Sequence, residues 1–142
     1  MATPVIVEAV RTPFGKEDGV FADVRSEDLS IPLVDELLSA TGLAGEDVDD
    51  LLWGCAQQRD EQGNNMARVI SLLSTLGESV PAATINRWCA SSAESVMRGA
   101  DAIAAGQRDV MIAGGVESMS RVKMGQNTHK VHPGLNDHYN VG

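Results

Sequence analysis

The amino-acid sequence predicts an α/β fold with a mostly parallel sheet, on two observations. Short apolar runs of strand length alternate with segments of helical apolar spacing over the first 120 residues, and the connections between them are short. Parallel strands need a crossover between them, and they read as continuous apolar runs because both of their faces are buried. The alternation therefore predicts a sheet of such strands covered by helices.

Four apolar runs are predicted to be strands. The first, residues 5–10, is followed by a loop that contains proline and glycine, and the others are residues 48–53, 83–86 and 110–113. Three segments between them repeat apolar residues at helical spacing and are predicted to be helices: residues 29–38, 66–73 and 93–104. Each is followed by a glycine suited to end a helix: Gly42, Gly77 and Gly106.

Composition limits the classes of function. A chain of 142 residues that is 43% hydrophobic and 22% charged fits a globular domain with a real core rather than a disordered tail. Its net charge of -9 argues against binding to nucleic acid or to anionic membranes, because phosphate would be repelled. No apolar run has the length to span a bilayer, and the N-terminus lacks the pattern of a secretory signal. We expect a soluble, cytoplasmic protein.

Two cysteines, Cys55 and Cys89, do not make a disulfide framework, and no Cys/His cluster has zinc spacing. The three histidines, His129, His132 and His138, lie in a loop-like segment with no two on one helical face. The sequence predicts no metal site.

Cys89 stands where a predicted strand ends and a predicted helix begins. Active groups of parallel sheets collect at the carboxyl ends of strands, and the N-H groups and positive dipole of a helix start favour a thiolate. A cysteine in the first turn of that helix would be a candidate nucleophile. The alternative is a cysteine that only fills space in the core, which is how we interpret Cys55, since nothing basic flanks it.

Several blocks of sequence carry a resemblance to a known family, in the same order as they occur there. They are Ala-Val-Arg-Thr-Pro-Phe-Gly-Lys at 9–16, Gly-Cys-Ala-Gln-Gln at 54–58 with Glu-Gln-Gly-Asn-Asn-Met-Ala-Arg at 61–68, Asn-Arg-Trp-Cys-Ala-Ser-Ser at 86–92, and Gly-Gly-Val-Glu-Ser-Met-Ser at 114–120. Together they cover nearly the whole chain, which resembles the N-terminal part of a thiolase.

The resemblance implies a layered α/β/α/β/α fold made of two similar halves, of which this chain would be the N-terminal one, incomplete by itself. The implied activity is acyl transfer between acyl-CoA and CoA or acetyl-CoA through a cysteine thioester, with cleavage or formation of 3-ketoacyl-CoA in fatty acid metabolism. Coenzyme A thioesters would be substrates, and no cofactor is implied. The full protein would be a homodimer or homotetramer.

Within the resemblance, Cys89 matches the acylated nucleophile, and its backbone N-H matches one donor of an oxyanion hole. Ala90, Ser91 and Ser92 match small residues that let the substrate approach, although Ser92 departs from the glycine common at that place. Arg87 and Glu117 lie in matching blocks, and we expect a structural role for each.

The resemblance divides the chain into an α/β domain at residues 1–120 and the start of an inserted loop region at residues 121–142. The family's general base, a histidine, and its second cysteine match no block here. We therefore expect that the chain is part of a longer thiolase, is not competent alone, and needs a C-terminal half or a complementary subunit. An intact mass showing that the native polypeptide ends at Gly142 would contradict the first of these expectations.

Two other functions stay open. A short, non-catalytic thiolase-like module would bind an acyl carrier or a partner subunit and would show no activity of its own. A ketosynthase-type condensing enzyme also places a cysteine at a strand-to-helix turn, and it would accept acyl groups from acyl carrier protein instead of acetyl-CoA.

Overall fold

The computed structural model describes residues 2–125 and 132–134. These residues form three α-helices and three strands: α1 (Ser26–Thr41), β1 (Asp50–Gly54), α2 (Met66–Leu73), β2 (Ala82–Ile85), α3 (Ser91–Ala104) and β3 (Met111–Gly115). Two 3-10 turns lie at Gly45–Asp47 and Asp60–Gln62. In this part of the chain no helix is long and apolar enough to cross a membrane.

The three strands form one parallel sheet in the order β2-β1-β3. Its register places Trp53 of β1 between Thr84 of β2 and Gly114 of β3. Because the strands are parallel, their carboxyl ends meet at one edge, which carries Gly54, Ile85 and Gly115. The predicted α/β class with a parallel sheet is confirmed.

The two faces of the sheet are covered by different helices. Leu51 and Trp53 belong to the buried core together with residues of α1 and α2, such as Val34 and Ile70. Gly54, one position further along β1, faces the other way and lies against the start of α3. The described residues thus form a helical layer, a sheet and a second helical layer, and the second layer brings the start of α3 to the carboxyl edge of the sheet.

The strand predicted at residues 5–10 is wrong. Residues 2–15 have no regular secondary structure, and the side chains of Val5, Ile6 and Val7 are exposed. A groove of about 1380 Å³ separates this segment from β3 and α3. A single apolar run becomes a strand only by pairing with a sheet edge, and this one pairs with none in the described part of the chain.

The helices differ from the predictions mainly at their ends. The first helix begins at Ser26, three residues before the predicted start, and its N-cap residue is Arg25. The second helix ends at Leu73, four residues before Gly77. Its N-cap residue is Asn65, whose side chain accepts a hydrogen bond from the Arg68 N-H at 3.3 Å.

Candidate active site

Cys89 lies in the turn that joins β2 to α3, and it is exposed. The N-cap residue of α3 is Ala90, so Cys89 comes just before the helix and is not in its first turn as predicted. The N-H groups of Ser92 and Ala93 donate no hydrogen bond within the described residues. The thiol therefore stands beside the positive end of a helix of 14 residues.

The turn around Cys89 has an unusual backbone. Trp88 has φ of 50°, the left-handed conformation that residues other than glycine rarely adopt. The N-H groups of Ala90 and Ser91 close the turn on the carbonyls of Arg87 and Trp88 at 3.1 and 3.0 Å. The Ser91 hydroxyl adds a second link, because it accepts the Arg87 N-H at 2.9 Å and donates to the Trp88 carbonyl.

Asn86 connects this turn to the neighbouring strand. Its amide oxygen accepts the Trp88 N-H at 2.9 Å, and its amide nitrogen donates to the Ala56 carbonyl at 3.0 Å. Ala56 follows β1, so the contact joins two loops at the carboxyl edge of the sheet. Asn86 was not singled out from the sequence, because its partner lies 30 residues away.

Two glycines let α3 approach the sheet. A methyl group on Gly54 would lie 2.5 Å from the Ser91 carbonyl carbon and nearer still to the Ser92 nitrogen. A methyl group on Gly115 would lie 2.6 Å from the Gly54 oxygen and would overlap the Ser92 hydroxyl. The start of α3, and with it the turn that carries Cys89, rests directly on the ends of β1 and β3.

Glu117 holds the loop that follows β1. Its carboxylate accepts the Ala56 N-H at 2.8 Å, the Gln57 N-H at 3.2 Å and the Gln62 side-chain amide at 2.7 Å. The expected structural role fits this geometry, because the groups that Glu117 binds belong to the loop after β1.

Comparisons with known proteins place the chain in a family. Residues 4–140 match the family model described as "Thiolase, N-terminal domain". The chain is 47% identical to a 3-ketoacyl-CoA thiolase of Yersinia enterocolitica over 137 residues, which are 95% of this chain and 35% of that protein. A 3-ketoacyl-CoA thiolase of Marinomonas is 47% identical over 94% of this chain and 34% of its own length.

The chain belongs to the thiolase family. The crystal structure of the Bacillus anthracis acetyl-CoA acetyltransferase matches with a TM-score of 0.75 and 31% identity, over 83% of this chain and 32% of that chain. The chain thus spans about a third of the length of these thiolases.

Charged groups link the turn that carries Cys89 to α3. The largely buried Glu94 carboxylate pairs with the Arg87 guanidinium and, at 2.8 Å, with Arg98. The hydrogen bonds from Arg98 and Arg87 hold the pKa of Glu94 below its usual value. Arg87 thus ties the turn to the helix, which agrees with the structural role expected for it.

The second cysteine, Cys55, is buried, whereas Cys89 is exposed. Cys55 is 1% exposed, and its sulfur lies 3.9 Å from a Glu117 oxygen. Burial, followed by the negative charge of Glu117, raises the pKa of Cys55 to about 12. Cys55 is therefore a protonated thiol at neutral pH, as its interpretation as core filler requires.

The other predicted site residues directly follow Cys89 in the chain. Ala90 and Ser92 are exposed, whereas Ser91 is buried and its hydroxyl is engaged by the turn. Substrate contact by Ala90, Ser91 and Ser92 stays a prediction. No group of three His, Cys, Asp or Glu side chains in the described ranges could hold a metal ion, and His129 and His138 lie outside those ranges.

Proposed function

We propose that this chain provides the acyl-accepting cysteine of a thiolase that transfers acyl groups between acyl-CoA and CoA or acetyl-CoA. The observation that carries the proposal is the placement of Cys89, an exposed thiol on a braced turn at the start of α3. The relatives named 3-ketoacyl-CoA thiolase support a substrate of the 3-ketoacyl-CoA class.

In the proposed first step, the Cys89 thiolate attacks the carbonyl carbon of an acyl-CoA. A carbon-sulfur bond forms to Cys89, the bond to the CoA sulfur breaks, and CoA leaves as a thiolate that takes up a proton. One thioester replaces another, so the exchange is nearly balanced in free energy and runs in both directions. The Cys89 backbone N-H is one donor of the oxyanion hole that stabilises the negative charge on the carbonyl oxygen.

The second step, attack on the Cys89 thioester by CoA or by the carbanion of acetyl-CoA, requires a group that takes a proton. Among the described residues, the acids around the turn already have partners: Glu94 is paired with two arginines and Glu117 accepts three N-H groups. We propose that residues outside this chain supply the base, whether from a C-terminal half or from a complementary subunit. We also propose that the full enzyme is a cytoplasmic homo-oligomer.

The test is acetylation of the purified 142-residue chain by acetyl-CoA, followed by iodoacetamide and peptide mass measurement. We expect the Cys89 peptide to gain an acetyl group and to lose its reaction with iodoacetamide. CoA without an acyl group is the control for simple occlusion of the thiol, and the Cys55 peptide is the internal control for unfolding. We expect no 3-ketoacyl-CoA to be formed by the chain alone.

The outcomes separate the proposal from its alternatives. Cys89 that reacts equally with iodoacetamide before and after exposure to acetyl-CoA overturns the acyl-accepting role and leaves a non-catalytic module. Acylation by acyl carrier protein thioesters but not by acetyl-CoA overturns it in favour of a condensing enzyme of the ketosynthase type.

A further inference from the structure

The backbone of Trp88 carries a conformational cost directly beside the reactive thiol. A left-handed conformation is unfavourable for a residue with a side chain, because its Cβ crowds the following carbonyl oxygen, and Trp88 adopts it with φ of 50°. Trp88 is half exposed and precedes Cys89, so relaxation of its backbone would move the thiol. Some contact has to hold the turn in this conformation.

The Asn86 side chain makes one such contact, to the Trp88 N-H, in addition to the two bonds from Ser91 to the Trp88 carbonyl. Its oxygen faces a donor, the Trp88 N-H, and its nitrogen faces an acceptor, the Ala56 carbonyl, so the orientation of the amide follows from its two partners. The bond to Trp88 closes a ring across two residues, which is the arrangement of an Asx turn. Reversal of the amide would lose both bonds.

The Ala56 end of this link is itself fixed. The Ala56 N-H donates to Glu117, whose carboxylate also holds Gln57 and Gln62. Glu117 comes two residues after β3, and Ala56 comes two residues after β1. A continuous series of hydrogen bonds therefore runs from the ends of two strands through Asn86 to the residue that precedes Cys89.

We propose that Asn86 is a positioning residue for acyl transfer, which holds the strained Trp88 backbone so that the Cys89 thiol faces the acyl carbon. The inference rests on the proposed function of Cys89. Loss of the amide removes the bond to the Trp88 N-H, so the Trp88 backbone shifts toward an ordinary conformation, and the thiol then leaves its place without any change in its exposure. A shift of about 1 Å in a reacting atom is enough to slow a reaction severely.

The test compares two reactions of Cys89 in Asn86→Ala. Acetylation by acetyl-CoA needs an aligned thiol, whereas alkylation by the small reagent iodoacetamide needs only an accessible thiolate. We expect acetylation to slow by roughly tenfold, equivalent to the strain at Trp88, and iodoacetamide alkylation to stay within about twofold of the parent chain.

Gln58→Ala is the matched control, because Gln58 is also an exposed amide that donates to a backbone carbonyl of the same loop, that of Cys55 at 3.0 Å, without touching the Cys89 turn. We expect its acetylation rate to equal that of the parent chain. Equal rates in Asn86→Ala and Gln58→Ala would overturn the positioning role. A parent chain that is not acetylated at all refutes the proposed function instead, so the two failures are distinguishable.

Rescue by glycine tests the role of the strain. Glycine adopts positive φ at no steric cost, so in a Trp88→Gly background the turn needs less support from Asn86. We expect Asn86→Ala to slow acetylation by less than about threefold in that background, against about tenfold with Trp88 present. The same tenfold loss in both backgrounds would show that Asn86 does not act through the conformation of Trp88.

Discussion

Replacement of Gly54 by alanine should displace the turn that carries Cys89. The new methyl group would lie 2.5 Å from the Ser91 carbonyl carbon, whereas ordinary contact requires about 3.4 Å, so the start of α3 must retreat by about 0.9 Å. The groups that it meets are backbone atoms, which cannot turn aside as a flexible side chain can. Overpacking of this kind costs about 1–3 kcal/mol of the free energy of unfolding.

The same displacement should slow acyl transfer more than it weakens the fold. A shift near 1 Å in a reacting group can reduce a rate by about a hundredfold. Two measurements are therefore needed. Urea unfolding monitored by circular dichroism gives the free energy of unfolding, and peptide mass measurement gives the rate of Cys89 acetylation by acetyl-CoA. We expect a loss of about 1–3 kcal/mol in the first and of about ten- to a hundredfold in the second.

Gly99→Ala is the matched control on the same helix and the same face of the sheet. A methyl group there would lie 3.8 Å from the Met111 sulfur and 3.9 Å from the Ala113 side chain, which is ordinary contact. Alanine also favours a helix over glycine by about 0.5–1 kcal/mol, so this variant should be as stable as the parent chain or more so. If Gly54→Ala and Gly99→Ala behave alike in both assays, Cys89 is not held by the contact of α3 with the strand ends.

Three further predictions follow from the surroundings of particular groups. At pH 8 the thiolate fraction of Cys55, with its pKa of about 12, should be about a thousandfold below that of a thiol with the ordinary value of 9.0. Iodoacetamide should therefore label Cys89 in the folded chain and both cysteines in urea, and equal labelling of the folded chain would contradict the burial of Cys55. Burial raises the pKa of Glu61, but the hydrogen bonds from Arg121 and the Ser26 N-H and the charges of Arg121 and Arg25 outweigh it and leave the pKa below 4.5. The ionised form of Glu61 thus stabilises the fold above pH 4.5, and this contribution is lost as pH falls through the folded pKa. Urea midpoints between about pH 6 and about pH 3 should therefore fall less steeply for Glu61→Gln than for the parent chain. Equal slopes of urea midpoint against pH in the two chains would refute this. Finally, β2 and β3 are edge strands, because among the described residues each pairs only with β1. The isolated chain should therefore associate through its sheet edges as its concentration rises. Light scattering that shows a monodisperse monomer would contradict this.

The elements that the sequence predicted correctly are those that local pattern determines. The helix at 66–73 has the same bounds in the structure, and the three strands at 48–53, 83–86 and 110–113 are each found within two residues of the predicted ends. The apolar run of β1 is buried, and the runs of β2 and β3 are mostly half-buried. The run at 5–10 has the same pattern, but whether it forms a strand depends on a partner, which no local pattern specifies.

The candidate site was also predictable only where local pattern determines it. The junction at Cys89 follows from strand and helix patterns on either side of it, so position and residue type were both visible in the sequence. The supports of the turn were not, because they join distant parts of the chain. Asn86 binds a carbonyl 30 residues before it, and Gly54 meets α3, which begins 37 residues later. Neither residue type by itself indicates such a partner.

The two cysteines show how the fold, and not the residue type, assigns the chemistry. Cys55 follows β1 and Cys89 follows its neighbour β2, so both stand near one edge of the sheet, and the Cys55 N-H donates to the last residue of β2, Ile85, at 3.0 Å. The Cys55 side chain lies in the core beside Glu117. Its burial and the charge of Glu117 keep the Cys55 thiol protonated. Cys89 is carried outward by the turn to the start of a helix, where negative charge is stabilised. Glu117 contributes to both outcomes, because the carboxylate that disfavours a Cys55 thiolate also anchors the loop to which Asn86 attaches the Cys89 turn. A single acidic side chain thereby helps to keep one thiol inert and the other in place.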